Sequence, residues 1–318
     1  MNTFLIWILP FIFYSDGNQP WGFYAHSLIN RMVVFSLPPE MISFYKPQIQ
    51  YIGENAVNPD RRRYAVEGEA EKHYIDLDHY GDSALQILPL YWPEAIKKIS
   101  EDSLRANGIG PWSAYLTFLS LTKAFEEKNA SAILRLSADL GHYLADLNVP
   151  LHTTKNYNGQ LTGQEGIHGF WESRVPELMA ADYSLWIGQA TYIQKPQVAL
   201  WETVALAHQQ VDSVLTFEKN LTSTFSPDQK FSFEERNGLT VRVYSRDFTE
   251  AYALALDNQI ERQMKASIRM IANFWYTAWV NAGQPDLSQI QVNEDGKEKM
   301  APNPKIKTRS HEGNLLDI

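Results

Sequence analysis

Three of the chain's eight histidines fall between Leu140 and Ser173, each near a carboxylate. His142 and Asp146 are four apart, His168 and Glu172 are four apart, and His152 lies between the two pairs. Residues four apart on a helix project from one face. Each pair therefore turns an imidazole and a carboxylate toward one point. These are the groups a divalent cation such as zinc takes when no thiolate is present, and the chain has no cysteine. A lone pair of this kind is an ordinary surface hydrogen bond. Here the pairs are flanked by Tyr143, Leu144, Phe170 and Trp171, which puts the carboxylates near a core. An unpartnered buried carboxylate is costly, and a cation offsets that cost.

Upstream signals are weaker one by one. Asp60 follows a proline in "NAVNPDRRRYA" and is expected in a loop, as a turn residue or an ion-pair partner of Arg61, Arg62 or Arg63. His73 stands close to Asp76 and Asp78, and His26 falls on a first helical segment, where alone it would be an ordinary core histidine.

Taken in order, "WGFYAH", "NPDRR", "HYIDLD", "GHYLAD", "PLH" and "HGFWE" resemble the zinc-dependent phospholipase C / S1-P1 nuclease superfamily, over roughly residues 21–178. The resemblance implies a helical phosphodiesterase whose zinc ions activate water. Asp60, His73, His142 and Asp146 would hold one zinc. Asp146 would bridge to a second, held by His26 and by the amine and carbonyl of Trp21. His152, His168 and Glu172 would hold the remaining one. Asp60 would also serve as the general base. Three zinc ions are expected, or two if Trp21 is not the mature N-terminus, since an amide is a poor ligand. His79, His208 and His311 are left as non-ligands. Asp76, Asp78 and Asp139 are candidates to orient ligand imidazoles.

The elements that must position these groups are helical. Pro111 opens one helix, and Asn129 caps another. In the second, Ile133, Leu136, Leu140, Tyr143, Leu144 and Leu147 form one apolar stripe, which Pro150 ends. A loop rich in Gly, Asn and Thr spans 152–166, followed by helices expected at 168–181, at 196–221 and, as one or two long segments, at 245–282. Strand signals are sparse. The expected fold is a single all-α domain with the metal site in its helical core, over 21–283. A polar, proline-broken tail is expected at 284–318.

The apolar run from Phe4 to Tyr14 is too short to span a bilayer and fits the core of a signal peptide over 1–20, which predicts an exported protein, periplasmic or secreted. Net charge is -9 with a pI of about 5.4, which argues against broad attraction to nucleic acid or anionic lipid. A metal cluster would still make a local positive pocket.

The expected partner is a phosphodiester substrate, with no obligate protein partner implied. Glu172 and the short interval from His152 to His168 favour a phospholipase C-like enzyme acting on phospholipid. "PLH" and "HGFWES" look like the nuclease branch, which would take single-stranded nucleic acid or a 3′-nucleotide. A third reading is a metal-stabilised helical binding module without turnover. A carboxylate-bridged di-iron bundle ranks last, because such sites favour Glu-x-x-His at three-residue spacing and more carboxylates than histidines.

Overall fold

In this computed structural model the residues described are 22–236, 238–288 and 290. The chain enters through a helix α1 (Phe23–Val34) that turns Ile29, Val33 and Val34 into the core and buries His26 beside them. Helix α2 (Ile49–Asn55) packs against it. Asp60 lies in a short helix α3 (Asn58–Arg62) rather than the expected loop. Pro59 sits in its first turn, where the missing N–H costs nothing.

Helix α4 (Gly110–Glu126) carries Pro111 at its start, and α5 (Ala130–Asp146) is capped by the Asn129 side chain, which accepts from the Ala132 N–H. Both follow the sequence reading. Helix α5 is the centre of the body, with α1, α2, α4 and the last long helix packed around it. It departs from a one-stripe helix in its second half, where every residue from Ser137 to Asp146 is buried. Its polar side chains are therefore interior groups that need partners.

The segment that closes the site is short and irregular. Ile167–Gly169, a π-helical turn Phe170–Arg174 and Val175–Met179 run end to end. Two helices, α6 (Pro196–His208) and α7 (Val211–Thr222), occupy the stretch expected as one. A two-stranded antiparallel hairpin follows, β1 (Phe231–Arg236) and β2 (Leu239–Tyr244), with Arg236 opposite Leu239. It is a small addition to a fold that is otherwise helical, as the all-α expectation has it. Its sequence signal is Asn237–Gly238, the pair that two-residue hairpin turns favour. Helix α8 (Arg246–Ala255) and helix α9 (Gln259–Asn281) are separated by Asp257 and Asn258, both in the left-handed region.

The expected tail begins by packing. Leu287 is buried, and the Trp279 indole N–H donates to the Pro285 carbonyl at 3.0 Å. The remainder of the tail, the signal-peptide segment and Trp21 lie outside the described residues. Among the described residues no helix is long and apolar enough to cross a membrane.

Candidate metal centre

Close helix packing brings the first ligand candidates together. Gly141 lets α5 approach α1, because a Cβ there would overlap the Asn30 side-chain amide. The Asn30 amide in turn donates to the His26 carbonyl at 3.0 Å. As a result the rings of His26 and His142 stack at 4.1 Å between centroids.

The His73 segment has no regular element of its own and is held by backbone bonds. Ile109 donates to the Glu71 carbonyl at 2.7 Å and Gly110 to that of Tyr74 at 2.9 Å. Ile75 donates to the His152 carbonyl at 2.9 Å, and the His152 Nδ1–H donates back to the His73 carbonyl at 2.6 Å. Two segments 79 residues apart are thus joined reciprocally.

Glu172 is placed by its neighbours in the π-helical turn. Phe170 stacks on Tyr244 at 3.8 Å and on Tyr252 at 4.8 Å, and the Trp171 indole donates to Gln259 at 3.1 Å. Arg174 donates to the Tyr244 carbonyl and pairs with Glu234 of the hairpin. The chain after Pro196 therefore anchors the helix that carries Glu172, a role the sequence does not announce.

Eight of the nine residues singled out from sequence converge here, all buried: His26, Asp60, His73, His142, Asp146, His152, His168 and Glu172. They form three groups whose ligand atoms lie within 4.8 Å of one another: His26, His142 and Asp146; Asp60, His73 and His142; His152, His168 and Glu172. Asp146 divides its oxygens, with Oδ2 at 2.9 Å from His73 Nδ1 and 3.3 Å from His142 Nε2, and Oδ1 at 3.3 Å from His26 Nε2. Glu172 does the same, with Oε2 at 2.8 Å from His168 Nε2 and Oε1 at 3.1 Å from His26 Nε2. The second division is absent from the expected ligand scheme.

The donor chemistry fits divalent cations. The His142 Nδ1–H donates to the Ala56 carbonyl at 2.8 Å, as His152 does to His73. Each neutral ring is thereby fixed as the tautomer with a lone pair on Nε2. Those lone pairs face other ligand nitrogens, His142 Nε2 lying 3.0 Å from His73 Nδ1 and His152 Nε2 lying 3.0 Å from His168 Nε2. A tetrahedral zinc with bonds of about 2.0–2.1 Å has ligand–ligand edges of about 3.3–3.4 Å. The separations from 2.8 Å (His168–Glu172) to 3.5 Å (His73–Asp60) bracket that spacing. Among the described residues, the buried His26 Nδ1 and His73 Nε2 have no hydrogen-bond partner.

Without a cation the groups must balance one another. Burial opposes ionisation of Glu172, but His152, His168 and His26 outweigh it and hold its carboxyl well below the usual range. Asp60 is likewise lowered against its burial, by His142, His73 and Arg63. Burial disfavours the His152 imidazolium, yet Asp146 and Glu172 push it up to about 9. His73 goes the other way, lowered to about 4 by burial and by Arg63.

For His142 and His152 the orienting groups differ from those expected. Backbone carbonyls, not carboxylates, hold His142 and His152. Asp139 pairs with Arg62 at 3.1 Å, and Asp78 accepts from the Thr154 hydroxyl and the Lys155 N–H. A buried network lies behind His73: Arg62 and the Tyr143 hydroxyl both donate to Glu69, and Tyr143 meets the His73 ring edge-on at 5.5 Å. Arg63 was named from sequence only as one of three partners for Asp60, and its burial was not foreseen. Phe170 and Tyr74 are buried in the core and so cannot line a substrate rim. Tyr157 stands edge-on to His168 at 6.1 Å. An apolar cavity walled by Ile29, Trp171, Ile260 and Met264 reaches His26 and Glu172.

No protein-family model matches the chain, and none of the curated proteins matches it. Solved structures that align with it include two clostridial alpha-toxins. The alpha toxin from Clostridium absonum aligns over 88% of this chain and 67% of its own, at 12% identity and a TM-score of 0.44. The alpha-toxin isolated from an avian strain of Clostridium perfringens aligns over 80% of this chain and 64% of its own, at 13% identity and a TM-score of 0.39. The chain thus spans about two thirds of the length of each. The chemistry of the site follows from its own residues.

Proposed function

We propose that the protein is a zinc-dependent hydrolase of phosphodiester bonds, phospholipase C-like in substrate class. The observation that carries this reading is the convergence of five imidazoles and three carboxylates, all buried, into three groups joined through Asp146 and Glu172. Asp60, His73, His142 and Asp146 would hold one ion, His26 and Asp146 another, and His152, His168 and Glu172 a third. Bound zinc supplies Lewis acidity toward a phosphoryl oxygen and lowers the pKa of water. The chain's residues fix the geometry. His142 and His152 keep their Nε2 lone pairs directed inward because their Nδ1 protons are committed to carbonyls. Asp60 Oδ1 lies 3.4 Å from His142 Nε2 and 3.5 Å from His73 Nδ1. Kept ionised by those neighbours, it can accept a proton from an attacking water, the general-base role. The choice of a lipid-like ester over nucleic acid rests on Glu172 and on the short interval from His152 to His168, the features in which the sequence resembles the phospholipase branch.

The test is an assay of the zinc-loaded protein against a chromogenic phosphocholine ester and single-stranded DNA, before and after chelation. Chelator-sensitive cleavage of the ester, with DNA cut far more slowly, is the expected outcome. The opposite preference would make the protein a nuclease, and tight zinc binding with neither substrate cleaved would make it a binding module.

A further inference from the structure

Arg63 is the one permanently charged cation placed against the ligand groups among the described contacts, and its side chain is fully buried. Its Nη1 lies 3.6 Å from Asp60 Oδ1. That same oxygen faces His73 Nδ1 at 3.5 Å and His142 Nε2 at 3.4 Å. A cation shared by Asp60, His73 and His142 would therefore use an oxygen already paired with a guanidinium. Arginine does not give up its proton in proteins, and burial removes the water that would screen it from a neighbouring dication. The other two groups have no arginine or lysine paired with their carboxylates: Asp146 and Glu172 pair only with histidines in the ion pairs described.

From this asymmetry we infer that Arg63 is a resident counter-ion of Asp60 that weakens the Asp60–His73–His142 group relative to the His152–His168–Glu172 group, so that it fills after that group and empties before it. The inference rests on the metal reading of the site and deepens it. It gives the chain a graded centre, in which the His152–His168–Glu172 position is held tightly and the occupancy of the Asp60 position follows the surrounding zinc concentration.

The experiment is a zinc titration of the full chain in buffered free-zinc solutions, with stoichiometry and step affinities measured for wild type, Arg63→Met and Arg63→Lys. Arg63→Met should tighten the step lost in Asp60→Asn at least tenfold and move the step lost in Glu172→Gln less than threefold, while Arg63→Lys should stay within threefold of wild type. An Asp60-dependent step that is unchanged or weakened in folded Arg63→Met overturns the inference. Because Arg63→Met can fail to fold, the filling order is also measured in Asp60→Asn and Glu172→Gln. Asp60→Asn should remove a weaker step and spare a tighter one, and Glu172→Gln should remove the tighter one. The reversed pattern overturns the inference as well. A wild-type chain that binds no zinc at all would instead sink the metal reading beneath it, an outcome the step affinities cannot be confused with.

Discussion

Two carboxylates set the behaviour of single residues at this centre. Asp146 and Glu172 each face two groups through separate oxygens, so removing either disturbs more than one position. Glu172→Gln and His168→Ala are each expected to cost at least one equivalent of bound zinc. Their cost in turnover should exceed the roughly 10–100-fold typical of losing an outer-shell partner, as measured by metal analysis beside steady-state kinetics. Asp60→Asn separates two roles. Its carboxylate is both a ligand candidate and the proposed base, so kcat should fall far more than the unfolding midpoint does. Equal retention of zinc and turnover in all three variants would contradict the assignment. The two four-residue pairs were legible in sequence because a helix makes spacing into direction. Arg63 was not, since nothing in "DRRRY" says which of three arginines is carried inward when α3 closes on α5.

At the scale of elements, the site depends on how near α1 comes to α5. Gly141→Ala places a methyl group against Asn30, and neither helix can retreat without dragging His26 off His142. Overpacking of this kind costs about 1–3 kcal/mol, which denaturant unfolding of the zinc-loaded protein should register, together with weakened metal binding. A loss of stability with metal affinity intact would mean that the contact serves packing alone. The caps and starts of α4 and α5 were readable from Pro111 and Asn129 because they are local. The hairpin had a local signal too, Asn237–Gly238, outweighed by the helical patterns around it. The division between α6 and α7 and the partners of Phe170 and Trp171 were not readable, because they depend on tertiary contacts rather than on local propensity.

For the molecule as a whole, metal and protons compete for the same nitrogens. In the metal-free chain Asp146 and Glu172 outweigh burial and raise His152 to about 9, and Asp146 and Asp60 raise His142 well above its usual value. A histidine raised in the folded state contributes stability that is complete below its unfolded pKa of about 6.5 and is lost as pH climbs through the folded value. The melting temperature of the chelated protein should therefore fall between about pH 6.5 and pH 9. With zinc bound the same rings are neutral, and over that interval the melting temperature should be level or rising. Scanning calorimetry of both forms across this range checks the change of sign, and a parallel decline in the two forms would refute it.

One further property follows from the way His73 and His152 are joined. Each stretch supplies the other with a hydrogen bond at the very residue that would grip an ion. A cation drawing His152 toward His168 and Glu172 therefore tugs on the peptide carrying His73, which belongs to a different group. Any coupling carried this way should be small beside the gap in affinity between the two positions.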